Sequence, residues 1–263
     1  MNKMKKTVCF LLLFALILSL CACGEVSPAP AESAAPAETP APVESAEPDE
    51  TPVPVEAETP VIPEDIVITA YENSGDYTDS LGNEYRYSYR IPAINADTED
   101  AQRLNSLINE QLMSVVNEEL SAMADGVSLV TVNVDFSFYV NGGIVSLLCK
   151  ADSPNDFYSY WVYNYDAESG REFTRSDFLA REELTEEELV SLALSACEAK
   201  FIEAFGGFPQ DSFYEEQYAR TIDPAGYGED LMLYYGENGA LSIVAPIYSL
   251  AGAAFYYQEL AIR

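Results

Sequence analysis

The residues able to do chemistry in this 263-residue chain are carboxylates, tyrosines and five cysteines, because histidine is absent. That absence removes Ser-His-Asp and Cys-His nucleophile activation, histidine-ligated zinc and the usual acid–base residue at neutral pH. Carboxylate pairs of the kind that cleave glycosidic bonds survive this filter. No spacing singles out such a pair among the 34 acids beyond residue 64, so no residue is assigned a catalytic role. The chain reads as a non-enzyme without cofactor. Two acidic phrases, Asp152-Ser-Pro-Asn-Asp156 and Asp166-Ala-Glu168, could offer oxygens to calcium. Neither matches the spaced ligand loop with its closing glutamate, so both read as turns and no metal is expected. Tyrosine is the remaining resource, and Phe157 to Tyr165 packs six aromatics into nine residues. Such rings stack on sugars or anchor a protein partner, although one face of each strand must be core. Tyr158 and Tyr160 lie opposite Trp161 in the alternation and are the candidate ligand-binding residues.

The elements that must position these rings begin beyond a long N-terminal preamble. A basic start (Lys3, Lys5, Lys6) leads into an apolar run from Val8 to Leu20. That run is shorter than the ~20 residues needed to span hydrocarbon, so it reads as the core of an export signal. It ends in Leu20-Cys21-Ala22-Cys23-Gly24, which resembles the bacterial lipobox. Cys23 fits the lipidated position better than Cys21, which would put bulky Leu20 where a small residue is needed. The alternative is an ordinary secretory signal with incidental cysteines. The lipobox reading makes residues 1–22 a lipoprotein signal peptide and Cys23 the anchor. Two or more acyl chains then hold the protein on the outer face of a cell membrane.

Residues 23–64 read as a disordered Pro/Ala/Glu-rich tether. Ten of the fifteen prolines and no glycine fall in 25–64. Proline fixes φ and removes donors, and spaced glutamates repel one another, so the segment should stay extended. All 44 acids lie beyond position 24 and face only ten basic residues there. A balance so acidic repels phosphate backbones and anionic headgroups, which excludes nucleic acid as a partner and favours cationic ones.

Beyond residue 64 the pattern predicts an α+β fold with a largely antiparallel sheet and two amphipathic helices. Two modules are expected, an N-terminal one over 65–152 and a C-terminal one over 153–263 packed against it. Ile66–Tyr71 and Glu84–Ile91 read as strands, the second closed by Pro92. Thr98 opens a helix with a continuous apolar stripe that Asp125-Gly126 stops. Strands follow at Leu129–Val140, Ile144–Ala151 and Phe157–Tyr165, the first two joined by Asn141-Gly-Gly143. Thr185-Glu-Glu-Glu188 fits a capping box for the second helix, which Gly206-Gly207 ends. Leu231–Tyr235 and Leu241–Ala245 read as a hairpin turning at Asn238-Gly239, and Phe255–Ile262 as a last strand. Cys149 and Cys197 could form one disulfide in an oxidising compartment, but the preferred reading is two separate buried small side chains.

The phrase Tyr163-Asn-Tyr-Asp166, Ser169-Gly-Arg171, Phe173-Thr-Arg-Ser-Asp-Phe178 resembles that of a domain of unknown function. That domain accompanies some peptidoglycan deacetylases and forms the outer part of lysozyme-sensing anti-sigma factors. The likeness extends over roughly residues 65–263, and its motifs are turn and core chemistry. The anti-sigma factors' cytoplasmic domain and membrane helix and the deacetylases' histidine-bearing catalytic domain have no counterpart here, so those activities do not carry over. What the resemblance implies is a non-catalytic binding or sensing module for a cell-wall component such as peptidoglycan, or for a cationic protein such as lysozyme. A carboxylate-based cell-wall glycan hydrolase and an envelope scaffold protein are the alternatives.

Overall fold

The computed structural model describes residues 62–153, 158–251 and 254–263, which belong to one compact unit. The export signal, Cys23 and the tether up to residue 61 lie outside the described residues, as does Phe157.

Strands β1 (Val67–Thr78) and β2 (Glu84–Ile94) form an antiparallel hairpin. Helix α1 (Glu99–Ala124) follows, its first turn closed by Thr98 Oγ1 accepting from the Ala101 N–H at 3.2 Å. Leu104, Ile108, Leu112 and Val116 recur at helical spacing and are all buried, so one stripe of α1 meets the sheet. Strands β3 (Asn133–Asn141) and β4 (Ile144–Asp152) then turn at Gly142 and Gly143, whose φ angles of +48° and +89° suit glycine in a two-residue hairpin. Strand β5 (Tyr158–Asp166) and the two-residue β6 (Arg171–Glu172) complete a sheet of order β1-β2-β3-β4-β5-β6. Its neighbours are antiparallel except β2 and β3, which are parallel over Ser88–Asn133 and Tyr89–Val134 alone. Strand β5 pairs with β4 from Ile144–Asp166 to Asp152–Tyr158, so this sheet takes in residues on both sides of 152/153.

Three helices come next, α2 (Arg175–Glu182), α3 (Glu186–Phe205) and α4 (Ser212–Thr221). Strands β7 (Met232–Tyr235), β8 (Leu241–Tyr248) and β9 (Phe255–Ala261) form a second antiparallel sheet in that order. The fold is thus α+β and mostly antiparallel. One core lies between α1 and the first sheet, around Ile108, Val134, Leu147, Cys149 and Tyr165. A second lies between α3 and the second sheet, around Ala193, Cys197, Phe201, Leu233 and Ile243. The two cysteines are therefore free and buried in different cores.

The outer edge of β7 docks on the face of the first sheet through side chains. Ser146 Oγ accepts from the Tyr235 N–H at 2.9 Å and donates to Asn164 Oδ1 at 2.7 Å. Asn164 Nδ2 donates in turn to Leu233 O at 2.8 Å. Backbone groups that lack a strand partner are satisfied in this way.

Three details depart from the sequence reading. Among the described residues, four α-helices stand where two are expected. Pro92 does not end β2, which runs on to Ile94 beside a register shift between Thr69 and Tyr71. Ser88 donates to Val132 O across to β3, so even-numbered residues of β2 face that side, and β3 has left by Pro92. The missing donor is not needed there. Strand β3 begins at Asn133 rather than Leu129, because the buried Glu119 carboxylate takes the Val130 and Thr131 N–H groups at 3.1 and 2.8 Å.

Candidate functional site

The face of β4 turned away from α1 carries Ser146, Leu148, Lys150 and Asp152. Register sets their neighbours: Lys150 lies between Asp135 and Tyr160, and Asp152 between Asn133 and Tyr158. Glu259 of β9 joins from the second sheet, and with Asn133, Asp135, Leu148, Lys150 and Asp152 it lines a groove of about 280 Å³ that Phe136 and Ser137 border on the β3 side. Three of its side chains are carboxylates and one is an ammonium.

The ammonium is already engaged. Lys150 Nζ sits 3.7 Å above the centroid of the Tyr158 ring and 5.8 Å from that of Tyr160. It is also 3.6 Å from Asp152 Oδ1, an ion pair just beyond hydrogen-bond length. That oxygen is buried and has no hydrogen-bond partner, whereas Oδ2 accepts from Asn133 Nδ2 at 3.3 Å. Asp135 Oδ1 accepts from Arg90 Nη1 at 3.0 Å and from the Phe136 N–H at 2.8 Å. The Tyr160 ring meets Tyr257 edge-on, 6.2 Å between centroids. Burial first, and then the Glu259 charge, push the Tyr160 and Tyr234 phenols above the usual tyrosine range, so both remain protonated. The groove can accept hydrogen bonds and neutralise positive groups. Among the described residues no three cysteine, aspartate or glutamate side chains gather as a metal would require.

The two tyrosines singled out in the sequence are half-buried and pair with groove residues, Tyr158 with Asp152 and Tyr160 with Lys150, without lining the groove themselves. Lys150 covers one ring face of Tyr158, and Tyr160 packs on Leu148, Tyr234 and Val244. Tyr163 and Tyr165 are core, and Trp161 packs on that core. The lipidation candidate Cys23 lies outside the described residues. The Asp166 phrase is a turn: Oδ1 accepts from the Glu168 and Ser169 N–H groups at 2.9 and 3.2 Å and Oδ2 from Ser169 Oγ at 2.6 Å. Its carboxylate is occupied by its own loop. Sequence reasoning did not reach Asn133, Asp135, Lys150 and Glu259. The polar residues alternating through Ile144–Asp152 held the signal for Lys150, whereas Glu259 is joined only by the meeting of two sheets.

Charge on the wider surface is one-sided. Of the ten basic residues beyond residue 64, nine form ion pairs. The tenth, Arg181, donates to Gly142 O at 3.1 Å and to Asn141 O at 3.4 Å. Positive charge is consumed internally, and the surplus that faces solvent is carboxylate.

Fold and groove together define an acidic α+β domain with a small polar cleft where its two sheets meet. Among solved structures, the chain is similar to a DUF3298 family protein from Pseudomonas aeruginosa PAO1 at 12% identity and a TM-score of 0.38, over 73% of this chain and 88% of that one. It is also similar to a DUF3298 family member from Bacteroides fragilis NCTC 9343 at 9% identity and a TM-score of 0.36, over 74% of this chain and 89% of that one. No family model matches the chain. No curated protein matches it.

Proposed function

We propose that the protein is a lipid-anchored extracytoplasmic binding module, non-catalytic, whose partner is a cationic protein. The acid surplus carries this reading: 34 acids against ten bases beyond residue 64, with the bases tied up internally. Such a field steers a basic partner and rejects an acidic one. Lysozyme, a basic enzyme that acts at the cell wall, is the specific candidate. Stacking of a wall sugar is less favoured, because Lys150 covers the Tyr158 ring that would receive it. The non-catalytic part is supported by the carboxyl groups whose pKa departs from the ordinary value. Asp79, Asp100, Asp166, Asp177, Glu186 and Glu188 all shift downward, opposite to what a general acid needs.

Calorimetry of the full-length protein in detergent against lysozyme tests the partner. Binding is expected at low salt, weakened at least about tenfold at ~0.5 M salt, where exposed charges are screened. Absence of salt-dependent binding would sink the reading. The anchor is tested separately: labelled fatty acid should enter the wild-type protein, and Cys23→Ser should lose the label and appear in the medium. A Cys23→Ser protein that still carries label would overturn the assignment.

A further inference from the structure

Four strand edges lie at the margins of the two sheets, and each is managed. The outer edge of β1 carries Glu72 and Asp76 and an irregularity between Thr69 and Tyr71. Strand β6 is two residues long, β7 is capped by Ser146 and Asn164, and β9 carries Glu259. A further edge is internal to the first sheet. Strand β2 pairs with β3 only at Asn133 and Val134, so the β2 side of β3 is open beyond them. Phe136-Ser-Phe-Tyr-Val140 holds no charge and no proline, and its register with β4 is unbroken. An edge of this kind is a ready template for another strand.

The direction of its backbone groups follows from the turn. Asn141 and Ile144 flank a two-residue turn, so they are a hydrogen-bonded pair, and odd-numbered residues of β3 bond to β4. Even-numbered residues turn their N–H and C=O groups outward. At Phe136 the N–H is taken by Asp135 Oδ1, which ends the ladder toward β2. No acceptor among the described residues takes the outward N–H of Phe138 or Val140. Their side chains, 38% and 46% exposed, stand on one face of the strand. On the other face Asp135 and Ser137 border the acidic groove.

We propose that this open edge, Phe136 to Val140, receives an extended segment of a cationic partner as an added strand. The inference rests on the cationic-partner reading and supplies the surface for it. The added strand would place alternate side chains on each face: basic ones toward Asp135, Asp152 and Glu259, apolar ones beside Phe138 and Val140. Charge selects this occupant over two others. A second copy brings the same 34 acids against ten bases. The chain's own residues 25–64 bring ten acids and ten prolines without N–H donors.

Amide hydrogen exchange on the full-length protein in detergent, with a blocked heptapeptide of alternating Lys and Val as probe, tests the proposal. The amides of Phe138 and Val140 should exchange readily in the free protein and slow by at least about tenfold with saturating peptide. A peptide N-methylated at alternate residues, or carrying Glu for Lys, should give no protection. Phe138→Pro removes the outward N–H while sparing the bonds to β4, and should abolish the peptide effect; its melting curve reports whether it folds. Val140→Lys, which keeps every backbone group, should weaken the same peptide by charge and is the second variant. Equal protection by the N-methylated or Glu peptide, or none by any peptide, overturns the proposal. If lysozyme still binds in that case, the cationic-partner reading stands without this surface; if it does not, both fall.

Discussion

Asp79 is 5% exposed beneath the β1–β2 turn, and nearly all of its hydrogen-bonding capacity is used. Ser128 Oγ donates to it at 2.6 Å, Asn83 Nδ2 at 2.8 Å, and the Leu81 and Asn83 N–H groups at 2.9 and 2.8 Å. The Ser128 bond leads in holding its pKa down to about 2 against burial. Because the folded value lies below the unfolded one, the stabilisation is complete above pH ~4 and is lost as pH falls toward about 2. Denaturant melts between pH 5 and 2 should therefore show a loss of stability that Asp79→Asn, already destabilised at pH 7, shows to a smaller degree. Equal slopes for the two proteins would mean that other carboxylates carry the acid response. Lys150 poses the opposite case, a single cation in an anionic groove. Lys150→Met should tighten lysozyme binding by about threefold, read by calorimetry, because it removes a like charge that lines the groove.

At the scale of elements, helix α3 shows what a local phrase can specify. Thr185 Oγ1 accepts from the Glu188 N–H at 3.2 Å, and Glu188 Oε2 accepts from the Thr185 N–H at 2.8 Å, the reciprocal pair that the spacing predicts. Thr185→Ala should cost about 1 kcal/mol in urea unfolding. The same device caps α2 at Thr174 and Asp177, yet no helix is expected there from the sequence. With eight residues and Phe178 its one buried side chain, α2 has too little periodicity to declare itself. Asp211 likewise caps α4 within a stretch that Gly206, Gly207 and Pro209 mark as loop. Long stripes and hairpin glycines were legible because their signals are local. Pro92 was misread because whether a missing donor matters depends on which strand lies alongside. The groove was not legible: alternation put Tyr158 and Tyr160 on the face of β5 opposite Trp161, but the residues that line the groove, Asp135 and Lys150 among them, meet only through register.

On the scale of the molecule, the two sheets are joined by a buried polar relay at the β7 edge as well as by apolar contact. Ser146→Ala would leave the Tyr235 N–H buried without its acceptor, a loss of about 1–3 kcal/mol in unfolding experiments. The larger feature is charge. Residues beyond 64 carry ten bases and 34 acids, a net of 10 − 34 = −24. The ion pairs are mostly solvent-exposed and contribute little each, so unpaired carboxylates repelling one another at longer range dominate the surface. At 0.15 M salt such repulsion is screened beyond about 8 Å, and at ~0.02 M it is not. Raising sodium chloride from ~0.02 to ~0.5 M should therefore raise Tm, even though it weakens the individual ion pairs. Over the same range lysozyme binding should fall. Opposite trends in one salt series follow from a single cause, an acid surplus that opposes compaction and attracts a basic partner. A Tm that dropped with salt would show that the paired bases, rather than the unpaired acids, govern the fold's electrostatics.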